Sequence, residues 1–140
     1  MTKALSAILV FALLFSCVFS FATAENSNSR ASDYFTSYGT TMSAAGGGRI
    51  AITFRAVGTT ICNQLGVANY TVEKLNENGR WENVSGSLSG QTGTNVASYA
   101  FGRYFQGVAG ETYRIQVTFV CMIGTGMEHK SYTSGRITAE

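Results

Sequence analysis

Charge is scarce in this chain. Among 140 residues there are 10 Lys or Arg and 8 Asp or Glu, a formal net charge of +2. A balance so close to neutral weighs against nucleic-acid binding of the usual basic kind, and no nucleic-acid partner is expected. Charged residues make up 13% of the chain, against ~25% in an average domain, which also argues against a disordered electrolyte-like tail. Histidine occurs once, at position 129, and cysteine three times, at 17, 62 and 121. That set matches no zinc-ligand spacing. The run Asn76-Glu77-Asn78-Gly79 shares part of a calcium loop but lacks the remaining ligands, and Gly46-Gly47-Gly48 is not followed by the Gly-Lys-Ser/Thr of a phosphate loop. No metal and no cofactor is expected.

The first segment is apolar and opens on a single cation. Lys3 precedes an uncharged run from Ala4 to Phe21, and the segment closes on Ala22-Thr23-Ala24. Basic start, apolar centre and small residues at the end are the order of a secretory signal peptide. The competing reading is a membrane anchor, since the run just reaches the lower end of spanning length. Against it, no cationic stop-transfer cluster follows in Glu25-Asn26-Ser27-Asn28-Ser29. Lipidation at Cys17 is disfavoured because Phe15 is too bulky for that pattern and apolar sequence continues beyond the cysteine. The sequence therefore divides into a signal peptide at 1–24, a polar flexible leader at 25–33 and one folded domain at 34–140. The expected product is secreted and has no stable membrane span once the signal is cleaved. A chain of that size buries a core without needing a metal.

Cleavage also changes the cysteine arithmetic. With Cys17 gone, Cys62 and Cys121 are left, and an even count in an exported chain points to one disulfide, for which only one pairing exists. Two separate buried thiols are the alternative. In the chain-entropy model a bridge across that span stabilises the fold by roughly 4 kcal/mol, with strain subtracting from it.

Beyond the leader, short apolar stretches alternate with Gly, Asn, Ser and Thr clusters, with no internal repeat and no long helical period. In Arg49 to Val57, Ile50, Ile52, Phe54 and Ala56 fall on one face and Arg49, Ala51, Thr53 and Arg55 on the other. Such alternation predicts a strand with one dry face. Tyr113, Ile115, Val117 and Phe119 alternate with polar residues in the same way, and Cys121 is in phase with them. Ala68, Tyr70 and Val72 form a third set that runs into Asn76-Glu77-Asn78-Gly79 before Trp81, a hairpin signal because Asn-Gly favours positive φ. Further strands are predicted at Tyr34 to Ala44, Val96 to Phe105 and Ser131 to Ala139, with a weak one at Ser85 to Ser89. The fold class is all-β, an antiparallel β-sandwich of about seven strands.

The stretch Val108-Ala109-Gly110-Glu111-Thr112-Tyr113-Arg114-Ile115-Gln116-Val117 resembles the corner before the sixth strand of fibronectin type III and other immunoglobulin-like domains. There a hydrophobic residue and a Gly turn precede a Tyr and alternating aliphatics. The resemblance implies that the Tyr113 hydroxyl ties the corner to nearby backbone. With Ser32-Asp33-Tyr34 and Ser37-Tyr38-Gly39 near the start, the chain is also similar to small secreted immunoglobulin-like domains of Gram-positive bacteria, which implies a bacterial origin. The family's inter-sheet disulfide is not carried over, because Cys62 follows the second predicted strand instead of lying inside it.

Chemistry is thin. His129 sits between Glu128 and Lys130 in a Gly-flanked segment that reads as a surface loop. A hydrolase using it would need a serine and an acid such as Asp33, and no nucleophile-elbow pattern is present. Aromatic residues carry what signal there is. Trp81 beside the hairpin, with Tyr70 nearby across it, is the candidate platform for a glycan or a protein surface, against the plainer reading that Trp81 covers the sheet edge. The expected function is a non-enzymatic binding or adhesion module with an extracellular protein or glycan ligand. The alternatives are a structural component of an envelope or biofilm and a small secreted hydrolase built on His129. Intact-mass measurement of the protein from culture supernatant tests the first step: the expected product begins at Glu25, and one retaining residues 1–24, or acylated at Cys17, contradicts the signal-peptide reading.

Overall fold

The computed structural model describes the backbone of 24–27 and all of 32–140. The expected signal peptide falls outside the described residues except for Ala24. The described chain is all-β, a nine-stranded antiparallel sheet that curls on itself. Its strands are β1 (Ala24–Ser27), β2 (Phe35–Ala44), β3 (Arg49–Leu75), β4 (Trp81–Asn83), β5 (Leu88–Ser89), β6 (Thr92–Gln106), β7 (Thr112–Ile123), β8 (Gly126–Thr133) and β9 (Ile137–Thr138). No helix among the described residues is long and apolar enough to cross a membrane. β1 joins Ala24, expected as the last residue of the signal, to the first three residues of the expected leader, and pairs with β2, Glu25 opposite Thr41.

The two strands expected at 49–57 and 68–73 are one strand of 27 residues. Nothing between them stops the chain, since Thr59, Thr60 and Ile61 are β-branched and favour extended backbone. The strand changes partners instead of ending. Its first arm pairs with β2 from Gly58 back to Ile50, and its second arm pairs with β7 from Gln64 to Lys74. β6 follows along the other side of both, with a register irregularity between Val57 and Cys62 and, on its own strand, Asn95 at φ 54°. A bulge bends a strand and increases its twist. Cys62 thus lies inside β3 at the bend, not in a loop after a strand.

The bend sets the two arms of β3 face to face. Ile50, Ile52, Phe54 and Ala56 on the first arm and Leu65, Val67, Tyr70 and Val72 on the second are all buried. The Phe54 ring lies 4.8 Å from that of Tyr70. Tyr38 of β2 closes the other side, 5.3 Å from Phe119 of β7 and 6.4 Å from Tyr132 of β8. Alternation along β7 buries Tyr113, Ile115, Val117, Phe119 and Cys121 in one shared core.

The turns explain where the strands end. Between β3 and β4, Asn76 Oδ1 accepts hydrogen bonds from the backbone N–H of Asn78 and Arg80 at 3.0 and 2.9 Å. Gly79 supplies the φ of 74° that closes this turn. The single strand expected at Ser131 to Ala139 is divided, because buried Ser134 turns its hydroxyl to accept the Ile115 N–H at 2.8 Å. β8 ends just before it, and β9 resumes on β7 opposite Thr112 and Tyr113. Leading into β7, the Tyr113 hydroxyl accepts a hydrogen bond from the Val108 N–H at 2.9 Å, and Tyr113 is 2% exposed. Tyr113→Phe removes that acceptor with little change of shape. A loss of about 1 kcal/mol in urea denaturation followed by Trp81 fluorescence is expected, and a variant as stable as the parent would show that the tie contributes nothing.

Candidate functional site

The structure does not bring Trp81 and Tyr70 together. Trp81 pairs with Leu75, five positions from Tyr70 along β3. An odd offset puts the two on opposite faces of the sheet, and five residues span about 17 Å. Tyr70 is 6% exposed and is committed to the core against Phe54. Burial pushes its hydroxyl pKa up, with Arg103 pulling the other way.

Trp81 is half-buried on the outer face. The Arg114 guanidinium lies 4.4 Å above its ring, and Arg114 Nε donates to Glu73 Oε2 at 2.6 Å. One face of the indole is therefore already occupied by an ion-paired cation. In the adjacent turn a hollow of about 280 Å³ is bordered by Lys74, Asn76, Glu82 and Glu111. Four of its polar groups are paired with one another: Asn76 Nδ2 donates to Glu82 Oε1 at 2.7 Å, and the Lys74 ammonium lies 3.8 Å from Glu111.

His129 is exposed and lies in strand β8 opposite Val120, not in a loop. Its neighbours Glu128 and Lys130 pair with each other at 2.6 Å across the opposite face of the strand. Burial acts to raise the Glu128 pKa, but hydrogen bonds from Lys130 and the Ser32 hydroxyl, with the charge of Lys130, outweigh it and hold the carboxyl below its usual range. Asp33 is exposed, and its backbone carbonyl accepts from the Thr59 hydroxyl at 2.9 Å. Among the described residues no group of three or more His, Cys, Asp or Glu is placed to hold a metal ion.

Cys62 and Cys121 do meet. Both are 0% exposed, and Cys121 Sγ donates to Cys62 Sγ at 2.9 Å, the two standing 59 positions apart in sequence. Both are thiols in this structure.

A different strand, β6, has only one neighbour among the described strands. β6 is 15 residues long and contains no buried residue. It pairs with β3 along one side, and among the described residues no strand lies along its other side. Its sequence, Thr-Gly-Thr-Asn-Val-Ala-Ser-Tyr-Ala-Phe-Gly-Arg-Tyr-Phe-Gln, holds one charge, Arg103, and no Lys, Asp, Glu or Pro. Alternation sorts its side chains. Tyr99, Phe101, Arg103 and Phe105 share the face of Ile50, Ile52, Phe54 and Ala56 and stay partly exposed. Phe101 stacks on Phe54 at 4.8 Å and 19°, Arg103 lies 5.1 Å over the Phe101 ring, and Phe105 meets Tyr113 edge-on at 5.5 Å. On the outer face Tyr104 is 68% exposed, with the Arg49 guanidinium 4.9 Å from its ring.

The other edges differ. β8 carries Glu128, His129 and Lys130, charge of the kind that blunts an edge against pairing, and β1, β4, β5 and β9 are too short to offer a template. Sequence reading found the strand at 96–105 and its aromatics but did not recognise a site. The available signal was that aromatics occupy both faces of a strand with almost no charge. No protein-family model, curated protein or solved structure matches this chain.

Proposed function

We propose that this protein is an exported, non-enzymatic binding module that takes an extended polypeptide as an added strand along β6. The observation that carries this reading is a long, almost uncharged edge strand that no other described strand covers. An open edge presents a row of backbone donors and acceptors, and the usual protections against pairing are charge, proline, shortness or a covering element. In strand addition the main chain supplies affinity, while alternate side-chain contacts supply selectivity. Tyr99, Phe101 and Phe105 form a partly open aromatic row on one side of the new strand, and Tyr104 stands on the other.

An immunoglobulin-like origin for the fold is part of the same proposal. β2, the first arm of β3 and β6 adjoin in the order A-B-E of such domains. The second arm of β3, β7 and β8 adjoin in the order C-F-G. The Tyr113 to Val108 hydrogen bond at the start of β7 supports this reading. Export rests on the sequence of residues 1–24. A glycan ligand is the weaker choice, because the one Trp is capped by Arg114 and Tyr99, Phe101 and Phe105 pack against the core.

The test uses the chain from Glu25 onward, screened in parallel against a displayed library of extended peptides and a glycan array. Selected peptides are expected to protect amides of 97–106 from hydrogen exchange. Their binding is expected to fall at least tenfold in Ala100→Lys/Tyr104→Lys, with the unfolding midpoint unchanged, and to survive His129→Ala. Ligands restricted to glycans, or peptides whose binding ignores the β6 changes, would overturn the assignment. An activity lost in His129→Ala with folding intact would favour the hydrolase instead.

A further inference from the structure

The bend of β3 encloses a pair of sulfurs that no binding reading uses. Cys62 stands where β3 passes from β2 to β7, and Cys121 lies on β7 opposite Leu65 of the second arm. Cys62 Sγ–H points to the Thr60 carbonyl at 3.4 Å, and Cys121 Sγ lies 3.8 Å from the Tyr34 carbonyl as well as against Cys62. Gly58 closes the pocket from the side, and a Cβ there would collide with Cys62 Sγ. Across the strand Glu128 is the register partner of Cys121. The groups facing the sulfurs include backbone carbonyls and the Glu128 carboxylate, whose charge is paired with the Lys130 ammonium at 2.6 Å.

We infer that Cys62 and Cys121 are joined by a disulfide in the exported protein, and that the bond is made before the second arm of β3 closes on β7. This goes beyond the binding proposal and depends only on its export clause. The pairing follows from contact between two fully buried sulfurs. The order of events follows from access. An oxidant must reach one sulfur, and in the closed structure neither has any exposed surface. Burial, the hydrogen bond and charge of Cys62, and the charge of Glu128 together push the Cys121 thiol up to about 12. The thiolate is the reacting form, so Cys121 in the closed structure is a poor nucleophile near neutral pH.

The chemistry needs an oxidant, which is taken to be an exchangeable small-molecule disulfide such as oxidised glutathione. One cysteine thiolate attacks it, forming a mixed disulfide and releasing one glutathione thiolate. The second cysteine thiolate then attacks the protein sulfur of that mixed disulfide, forming the Cys62 to Cys121 bond and releasing the second glutathione. The two electrons and the two protons given up by the cysteines end on the two glutathione thiols.

Two arms test both halves of the inference on the chain from Glu25 onward. In one, reduced and unfolded protein is refolded with reduced and oxidised glutathione. In the other, protein already folded in the reduced form meets the same mixture. Non-reducing peptide mapping is expected to find the Cys62 to Cys121 peptide as the main product of the first arm. The second arm is expected to keep two thiols, reacting with the oxidant or with iodoacetamide at least tenfold more slowly than in denaturant. The bridged product should unfold with an equilibrium constant lower by on the order of a thousandfold than its reduced form. Native fluorescence from Trp81 in both arms establishes that the protein has folded. Folded protein with two thiols, or linked between chains, at the end of the first arm would overturn the pairing. Oxidation of folded protein as fast as unfolded would overturn the order. A Cys62→Ser/Cys121→Ser variant as stable as the oxidised protein would remove the bond's stabilising role.

Discussion

One covalently continuous strand supplies both walls of the core. β3 carries Phe54 on one arm and Tyr70 on the other, and those rings touch because the chain between them bends without leaving the extended conformation. Most sheets that fold over a core are joined by loops whose entropy must be offset by packing. Here no loop intervenes: the strand stays extended through the bend and is paired with β6 on both sides of it, at Arg49 to Val57 and at Cys62 to Gly66.

The remaining elements take their positions from that bend. β2 lies along the first arm and β7 along the second, so Tyr38 faces Phe119 across the interior. β6 must follow the same bend on the outside, and its irregularity between Val57 and Cys62 together with Asn95 at positive φ shows where it does so. Among the described residues, no strand lies along the far side of β6. The open edge and the enclosed sulfurs both belong to this bend: Cys62 reaches Cys121 within it, and β6, paired with β3 on one side only among the described strands, runs along it.

Much of this was legible in the residue pattern, and the failures have physical causes. Alternation locates both arms of β3 and β7, further strands are expected over β2 and β6, and Asn76 to Gly79 marks its turn, because these signals are local. Continuity through 58–67 was not legible. Gly58 and Gly66 look like breaks, whereas Gly58 is needed to make room for a sulfur. The hairpin from Ile123 to Gly126 was missed because its turn, Gly124-Thr125, is a weak signal in a Gly-rich stretch. Contact between the two sulfurs depends on where the arms cross, a non-local property, and parity of the cysteine count was the only clue to it. Trp81 and Tyr70 were grouped by nearness across a hairpin, although the odd offset between Tyr70 and Leu75, the residue opposite Trp81, already assigns them to different faces. The edge of β6 was hidden for the opposite reason: its aromatic pattern was plain, but openness depends on what the rest of the chain leaves uncovered.

The claim that most depends on geometry is that the two arms of β3 oppose one another within a single unbroken strand. Solution NMR of the folded chain measures it directly. Ring-to-ring nuclear Overhauser contacts between Phe54 and Tyr70 are expected, together with cross-strand contacts of Cys62 with Val96 and of Leu65 with Cys121. Absence of the Phe54 to Tyr70 contact, or flexible unpaired amides through 62–66 in place of the pairing with β6, would show that the arms are separate strands joined by a loop and would contradict the account.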